Sequence, residues 1–335
     1  MVKMMNKINS LKKFSKINIL IIGDMVADVY LKGNISRVSR EAPVLVLEHA
    51  GEKVVPGGAA NVVHNVATLG GQAFAVGLIG NDKAGTGLRA ILNDKNVDTT
   101  GLIVEENRPT ITKTRIIAGG SATVSQQIVR IDQEMKSPIL SQTEESFINI
   151  LKQVIDKIDA VVLSDYGSGM LSDKIRSFII ESCQEKNIKT IVDSRYDILK
   201  FEGVSFVKQN EAEAAKAVGF ELTSEDAVVT AGKILLEKLQ AEGIIISRGE
   251  QGMSLIQDNG EIHHIPVVDK SEVFDVSGAG DTAVAAFILA IASGAKPVEA
   301  TKIANFAAGI AVRKLGTATV SNEELKEVLG EYYVD

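Results

Sequence analysis

The sequence predicts an α/β protein: a doubly wound, mainly parallel sheet with helices on both faces, plus a small separate β-sheet acting as a lid. Three observations predict it. Short, continuously apolar runs that end in a polar residue, such as "ILIIGD", "AVVLSD" and "KTIVDS", suit strands buried on both faces. Stretches of helical period alternate with these runs, and that alternation builds parallel βαβ units. Two further stretches, about residues 31–55 and 101–132, are β-prone and lack helix caps, so they predict a small sheet apart from the main body.

The elements follow in order. "ILIIGD" is the first buried strand, and "GGAANVVHNVATLGG" reads as a helix entered and stopped by paired glycines. "AFAVGLIG" is a second buried strand, with a helix over Lys83 to Leu92 behind it. "TITKTRIIA" and "QQIVRID", separated by "GGSAT", read as a hairpin. "AVVLSD", "KTIVDS", "VSFVKQN" and "GIIISRG" are the later strands. "EAEAAKAVG" and a segment around Thr230 to Leu239 supply helices between them. Two Ala-rich helices, roughly 280–293 and 298–314, close the chain. Residues 1–335 therefore read as one domain with an inserted lid.

Composition narrows the function. With 335 residues, 45% hydrophobic and 24% charged, the chain can bury a large core. A net charge of −7 argues against a nucleic-acid partner but leaves small anionic ligands open. One cysteine, Cys183, excludes an internal disulfide framework and suggests a reducing compartment. The amino-terminal stretch has no cleavable signal pattern, and the apolar run Ile19 to Ile22 is far too short to span a bilayer. The expectation is a soluble, cytoplasmic protein without membrane contact. The histidines His49, His64, His263 and His264 have no metal-ligand spacing.

The stretch "FDVSGAGDTAVAAF", Phe274 to Phe287, carries the chemistry. Gly278-Ala279-Gly280-Asp281-Thr282-Ala283 can be read as a dinucleotide fingerprint of a dehydrogenase or as an anion cradle. A fingerprint needs a βαβ unit with a carboxylate closing the second strand about 20 residues on. Here another helix follows, Glu299 falls at its start, and Asp281 would face the pyrophosphate with like charge. The anion cradle accounts for the same residues. Backbone N–H groups of Gly278, Ala279 and Gly280 converge at a helix start, where they can stabilise charge on a transferring phosphoryl group. Asp281 in the first turn can take a proton from an attacking hydroxyl.

Asp275-Val276-Ser277-Gly278-Ala279-Gly280-Asp281, continuing through Ala285-Ala286-Phe287-Ile288, resembles the carboxy-terminal motif of the ribokinase-like (PfkB) carbohydrate kinases. "PGGAANVVHNVATLGG", Pro56 to Gly71, resembles the amino-terminal motif, with Val63 where a small residue is usual. The resemblance covers nearly the whole chain. It implies an ATP-dependent kinase using Mg²⁺, with Asp281 as base and Gly278, Ala279 and Gly280 as anion hole. It implies sugar contacts at Asp28, Gly57, Gly58 and Asn61, with Asn65 structural. It implies that Asn210 and Glu213 organise Mg²⁺ and the nucleotide phosphates, Glu213 through water. Ser247, Arg248, Gly249 and Gly252 would border phosphates and ribose, and Asn305 the adenine. Asp275 and Ser277, with the loop 313–319, fall where many relatives hold a monovalent cation such as K⁺.

Asp165, at the end of "AVVLSD", points toward the same crevice by the strand-end rule. If the substrate carries its own phosphate, cations must meet it. Lys113 and Arg115 share one face of a lid strand, and Arg130 and Arg37 are further candidates.

"GDMVADVYLKGNISRVSREAPVLVLE", "QQIVRIDQE", "LSDYGSGML" and "KLGTATVS" resemble the branch of the family that phosphorylates D-glycero-D-manno-heptose 7-phosphate at its anomeric hydroxyl, on the route to ADP-heptose. The chain resembles the stand-alone form of that kinase. It departs from the branch at Ser168, where a lysine is usual, and at "VDSRYD", where the branch has Asp-Pro-Lys. Arg195 is the substitute cation there. Within the family the alternatives are kinases of ribose, fructose or fructose-phosphate type. Outside it, the alternative is a catalytically silent ligand-binding regulator. The lid suggests a homodimer in which two lids pack together.

Overall fold

The computed structural model describes residues 10–120, 123–267 and 273–332. Strand β1 (Asn18–Gly23) leads directly into the lid strands β2 (Met25–Val38) and β3 (Leu45–Gly58). The Ala59–Thr68 helix returns the chain to β4 (Gln72–Ile79), and the Lys83–Asn93 helix to β5 (Asp98–Val104). The lid is completed by β6 (Ile111–Gly120) and β7 (Thr123–Gln133). Strands β8 (Ala160–Asp165), β9 (Lys189–Ser194), β10 (Phe206–Asn210) and β11 (Gly243–Ser247) then extend the main sheet, which ends in β12 (Met253–Gln257) and β13 (Ile262–Ile265).

The main sheet has the order β13-β12-β11-β10-β9-β8-β1-β4-β5. Its strands from β11 to β5 run parallel, and only the β11–β12 and β12–β13 pairs are antiparallel. From β1 the chain builds outward first to β4 and β5, then returns to β8 on the other side. That reversal is a topological switch point, where ligands bind beyond the strands' carboxyl ends.

The alternation of β1 decides the two cores. Ile19 and Ile21 join the cluster that includes the Ala59–Thr68, Ala279–Ala292 and Pro297–Ala311 helices. Leu20 and Ile22 join the opposite cluster, under the Ser141–Val154, Asp173–Glu185 and Glu225–Leu239 helices. All four side chains are fully buried, as successive strand residues facing two covered sides must be. On the first face the Ala-rich helices lie close because Ala283, Ala286, Ala300, Ala304 and Ala307 are small. Phe287 meets Phe206 of β10 edge-on, with centroids 5.0 Å apart. Ser224 caps the last helix of the opposite face by accepting from Ala227 N–H at 3.2 Å, so that helix starts at Glu225 rather than near Thr230.

The lid is a separate sheet of order β3-β2-β6-β7. Its limits correct the sequence expectation at both segments. The first segment runs from Met25 to Gly58, so the lid contains Asp28, Gly57 and Gly58 themselves. The second begins at Ile111, because Asp98–Val104 pairs with β4 and belongs to the main sheet. Gly101 permits that pairing: a Cβ there would lie 2.6 Å from the Ala75 carbonyl oxygen.

Candidate active site

The crest of the main sheet supplies the floor of the site. Register sets Gly23 beside Ser164 and Ser164 beside Asp193, while Asn210 lies beside Ser247. The residues just beyond these positions, from Asp24 to Gly249, therefore rise along one edge, with the lid folded over it. Between them lies a cavity of about 1150 Å³, lined by Lys113 and Arg115 at one end and by Ser247, Gly252 and Asn305 at the other. That volume exceeds the usual range for one small ligand, roughly 300–1,000 Å³, and suits two substrates side by side.

Asp281 lies at the middle, in the first turn of the Ala279–Ala292 helix and only 6% exposed. Asn61 donates to its Oδ2 at 2.9 Å, and the Tyr166 hydroxyl donates to its Oδ1 at 3.2 Å. The orientation of the Asn61 amide is enforced from behind. Asn65 donates to Asn61 Oδ1 at 3.1 Å while accepting from the Thr282 hydroxyl at 3.2 Å and Val320 N–H at 3.3 Å. Asn61 Nδ2 is thus turned toward Asp281. Burial pushes the Asp281 carboxyl up to about 6; the Asn61 hydrogen bond and the cations Lys208 and Arg195 pull it down, and Asp193 pushes it up. A carboxylate so poised titrates just below neutrality, where a general base is most effective.

The glycines before Asp281 are needed for two reasons. Gly278 has φ +79°, in the left-handed region, and a Cβ there would lie 2.6 Å from Asn61 Nδ2. A Cβ on Gly280 would lie 2.7 Å from the Lys208 ammonium. Of the three amides, that of Ala279 turns back to the Val276 carbonyl at 3.3 Å. Those of Gly278 and Gly280 have no acceptor among the described residues, so the anion-binding capacity rests with these two.

At the lid end, parallel pairing sets Asp28 opposite Lys113 and Tyr30 opposite Arg115, while Arg130 lies across from Arg115 on β7. Arg115 forms an ion pair with the buried Asp28 at 2.5 Å, and Arg130 pairs with Asp132 at 2.8 Å. Gly57 lets the chain pass Asp28, since a Cβ would lie 2.6 Å from its Oδ2. Lys113 and Arg195 are different. Among the described residues neither has a carboxylate within ion-pair distance, and both lie against the Tyr166 ring, at 5.0 and 4.3 Å from its centroid. Burial and the charge of Arg195 hold Lys113 below its ordinary value.

At the opposite end of the cavity, Asn210 and Glu213 form a reciprocal cap on their helix: Glu213 N–H donates to Asn210 Oδ1 at 2.8 Å, and Asn210 N–H to Glu213 Oε2 at 2.9 Å. Burial and the charge of Asp193 raise the Glu213 carboxyl. Asp193 itself pairs with Lys208 at 2.9 Å. Burial pushes Lys208 down, but the charges of Asp193, Glu213 and Asp281 outweigh it and hold the ammonium above its ordinary value. Among the described residues no three His, Cys, Asp or Glu side chains close on one point. Two neighbouring carboxylates, Glu213 and Asp193, fit magnesium, which keeps its waters and takes phosphate oxygens rather than an all-protein cage. Asp275 accepts from Ser277 N–H at 2.9 Å and Gly316 N–H at 3.0 Å, which draws the loop 313–319 to it.

Most of the residues expected from the sequence line this cavity: Asp28, Gly58, Lys113, Arg115, Arg130, Asn210, Glu213, Ser247, Gly249, Gly252, Ser277, Asn305 and the turn from Gly278 to Asp281. Three do not. Asp165 spends its oxygens on Gly167 N–H, at 3.0 Å, and the Ser194 hydroxyl, at 2.7 Å, so it shapes the turn after β8. Arg248 turns away to Glu211, at 3.2 Å, and Gln251. Arg37 lies exposed at the outer end of β2. His263 and His264 contact different partners, Glu261 and Glu225, and share no ligand point. Sequence reasoning missed Asp24, Tyr166, Asp193 and Lys208. The strand-end rule that proposed Asp165 applies equally to Asp193 at the end of "KTIVDS"; Tyr166 had no signal of its own.

A family model described as pfkB family carbohydrate kinase matches residues 16–325. The bifunctional protein HldE of Nitratiruptor sp. is 40% identical over 312 residues, which cover 93% of this chain and 65% of that protein. The bifunctional protein HldE of Helicobacter hepaticus is 38% identical over 312 residues, 93% of this chain and 63% of that protein. The chain thus spans a little under two thirds of the length of these relatives. Among solved structures, Arabidopsis thaliana ribokinase complexed with ribose and ATP superposes with a TM-score of 0.72 at 18% identity, covering 93% of this chain and 98% of that one. Escherichia coli phosphofructokinase-2 in complex with substrates and products gives 0.74 at 23%, covering 94% and 99%. At these identities the two structures speak for the fold. With a family match over almost its entire length, this chain belongs to the pfkB family of carbohydrate kinases.

Proposed function

We propose that this carbohydrate kinase transfers the γ-phosphoryl group of ATP to the anomeric hydroxyl of D-glycero-D-manno-heptose 7-phosphate. The observation that carries the reading is the setting of Asp281: a buried carboxylate at a helix start, with Lys113 and Arg195, which have no carboxylate partner among the described residues, on one side and the proposed nucleotide end of the same cavity on the other. Asp281 accepts the proton of the attacking hydroxyl as its oxygen bonds to the γ-phosphorus. The bond from that phosphorus to the bridging oxygen breaks, ADP leaves, and the proton passes to solvent. The Gly278 and Gly280 amides face the charge that develops on the transferring group. Magnesium, when bound with ATP, neutralises phosphate charge, and Glu213 through water, with Asp193, would hold it. A potassium ion would share Asp275 and its attached loop.

A phosphate on the acceptor accounts for Lys113 and Arg195, two cations with no carboxylate partner among the described residues. The heptose is supported by the sequence stretches that resemble its kinases and by the likeness to the HldE proteins. Ser168 favours another acceptor within the family, because a buried serine bonded to Asp24 replaces the lysine of that branch. Exposed apolar residues on the lid, among them Ile35, Leu45, Ile128 and Ile131, support a homodimer built lid to lid. Among the described residues no helix is long and apolar enough to cross a membrane, and the proposed compartment is the cytoplasm.

The test is ADP release with Mg-ATP over a panel of free and phosphorylated sugars, with Asp281→Asn alongside. Turnover of the heptose phosphate that the substitution abolishes is the expected result. Turnover of another sugar alone would retire the heptose, and silence across the panel would move the weight to a ligand-binding regulator.

A further inference from the structure

Tyr166 sits in a connected set of contacts to which the reaction above assigns no role. Its N–H donates to Asp24 Oδ2 at 2.7 Å, and the Ser168 N–H donates to the same oxygen at 3.3 Å. The Ser168 hydroxyl donates to the other oxygen, Asp24 Oδ1. Asp24 is 2% exposed, and burial raises its carboxyl to about 6 even though the Ser168 hydrogen bond opposes the shift. One buried carboxylate collects three donors from one short turn, and a group placed at that cost is an anchor.

The far side of the turn reaches the base. The Tyr166 hydroxyl donates to Asp281 Oδ1 at 3.2 Å and accepts from Arg195 Nη2 at 3.4 Å. Its ring lies against Arg195 and, from the lid, Lys113. The ring edge passes Gly58, where a Cβ would lie 3.4 Å from Tyr166 Cε2. The phenol is therefore held on several sides, and its single proton has one carboxylate to serve.

We propose that Tyr166 is a positioning residue for the catalytic base: Asp24 anchors the 166–168 turn, and the Tyr166 hydroxyl, polarised by Arg195, holds Asp281 Oδ1 ionised and aimed at the acceptor. A hydrogen bond donated to a carboxylate favours its charged form. The other groups bearing on Asp281 are Asn61 from the Ala59–Thr68 helix, Asp193 from β9, Lys208 from β10 and Arg195 beyond β9. Asp193 and burial oppose ionisation, while Asn61, Lys208 and Arg195 favour it. The role rests on Asp281 being the base, but its first readout does not.

The experiment is a carbon-13 titration of aspartate carboxyls in the unliganded protein, with the Asp281 resonance identified by its loss in Asp281→Asn. In Tyr166→Phe, which keeps the ring, that resonance should titrate about one unit higher, the size expected of a hydrogen bond to a charged group. The acid limb of the kcat profile should move up with it, while KM for ATP stays within about twofold. Ser168→Ala, which removes one of the three donors to Asp24, should shift the limb in the same direction by less. Adding it to Tyr166→Phe should produce no further shift. An unmoved Asp281 titration in Tyr166→Phe overturns the proposal, and so does a double variant in which the two shifts sum. A shifted titration in a protein that turns over no sugar would keep the role of Tyr166 and sink the acceptor. Normal turnover with an unshifted titration would do the reverse.

Discussion

Asp281→Asn should make the protein more stable as well as inactive, and the pH at which it does so is set by the site. Burial raises the Asp281 carboxyl from 3.8 to about 6. A group whose pKa is raised by folding stabilises the fold below its unfolded pKa and loses that contribution as pH rises through the folded value. For Asp281 the loss begins near pH 4 and is complete above about pH 7. Raising the carboxyl from 3.8 to about 6 corresponds to about 3 kcal/mol, an upper figure for a group this buried. Asparagine carries no charge and keeps the geometry: its oxygen can accept from Asn61, and its amide can donate to the Tyr166 oxygen once that hydroxyl rotates. Relative to the parent, the variant should gain up to about 4 °C in Tm at pH 8 for a chain of this length, and much less at pH 4. Its kcat should fall by roughly 10²–10⁴, the range for a lost general base. Paired thermal melts from pH 4 to 8 and the ADP-release assay read both quantities. A Tm difference that does not change with pH would refute the claim that Asp281 is held ionised against burial. A kcat within tenfold of the parent would refute its role as base.

Three further outcomes follow from the same geometry. Gly280→Ala places a methyl where the Lys208 ammonium lies, so it should disturb the Lys208–Asp193 pair and lower kcat at least tenfold; near-normal kinetics would mean that the approach is not tight. Lys113→Ala should raise KM for a phosphorylated acceptor about 10–100-fold, the worth of a charged hydrogen bond, while leaving KM for the same sugar without its phosphate within about twofold. Equal losses on both would remove Lys113 from phosphate recognition. Ile131→Glu, on the exposed lid face, should convert a lid-to-lid dimer to monomer in sedimentation velocity; an unchanged sedimentation coefficient would rule out that interface.

The part of the cavity lining that was legible has local signals. The Gly278-Ala279-Gly280-Asp281 turn needs those residue types in that order, and the alternation of Lys113 and Arg115 puts both on one face whatever the rest of the chain does. Asp165 shows where that reasoning stops. A strand-end carboxylate can face the crevice or close its own turn, and the hydroxyl of Ser194 on the neighbouring strand decided for the turn. Arg248 likewise looked like a phosphate contact until Glu211, from a different element, claimed it.

By itself, the sequence determined the alternating strands and helices, the existence of a lid and the glycine turn that carries the proposed base, because hydrophobic period and turn chemistry act over a few residues. Only the tertiary structure decided that Asp98–Val104 joins the main sheet, that Arg115 is occupied by Asp28 while Lys113 and Arg195 have no ion-pair partner among the described residues, and that Tyr166 and Asn61 grip the two oxygens of Asp281. Each of these depends on partners far apart in the chain: Asn61 and Asp281 are 220 residues apart, Tyr166 and Asp281 115. The pairing of such groups is set by which strands lie side by side and how they are registered, and no local pattern of residues encodes that.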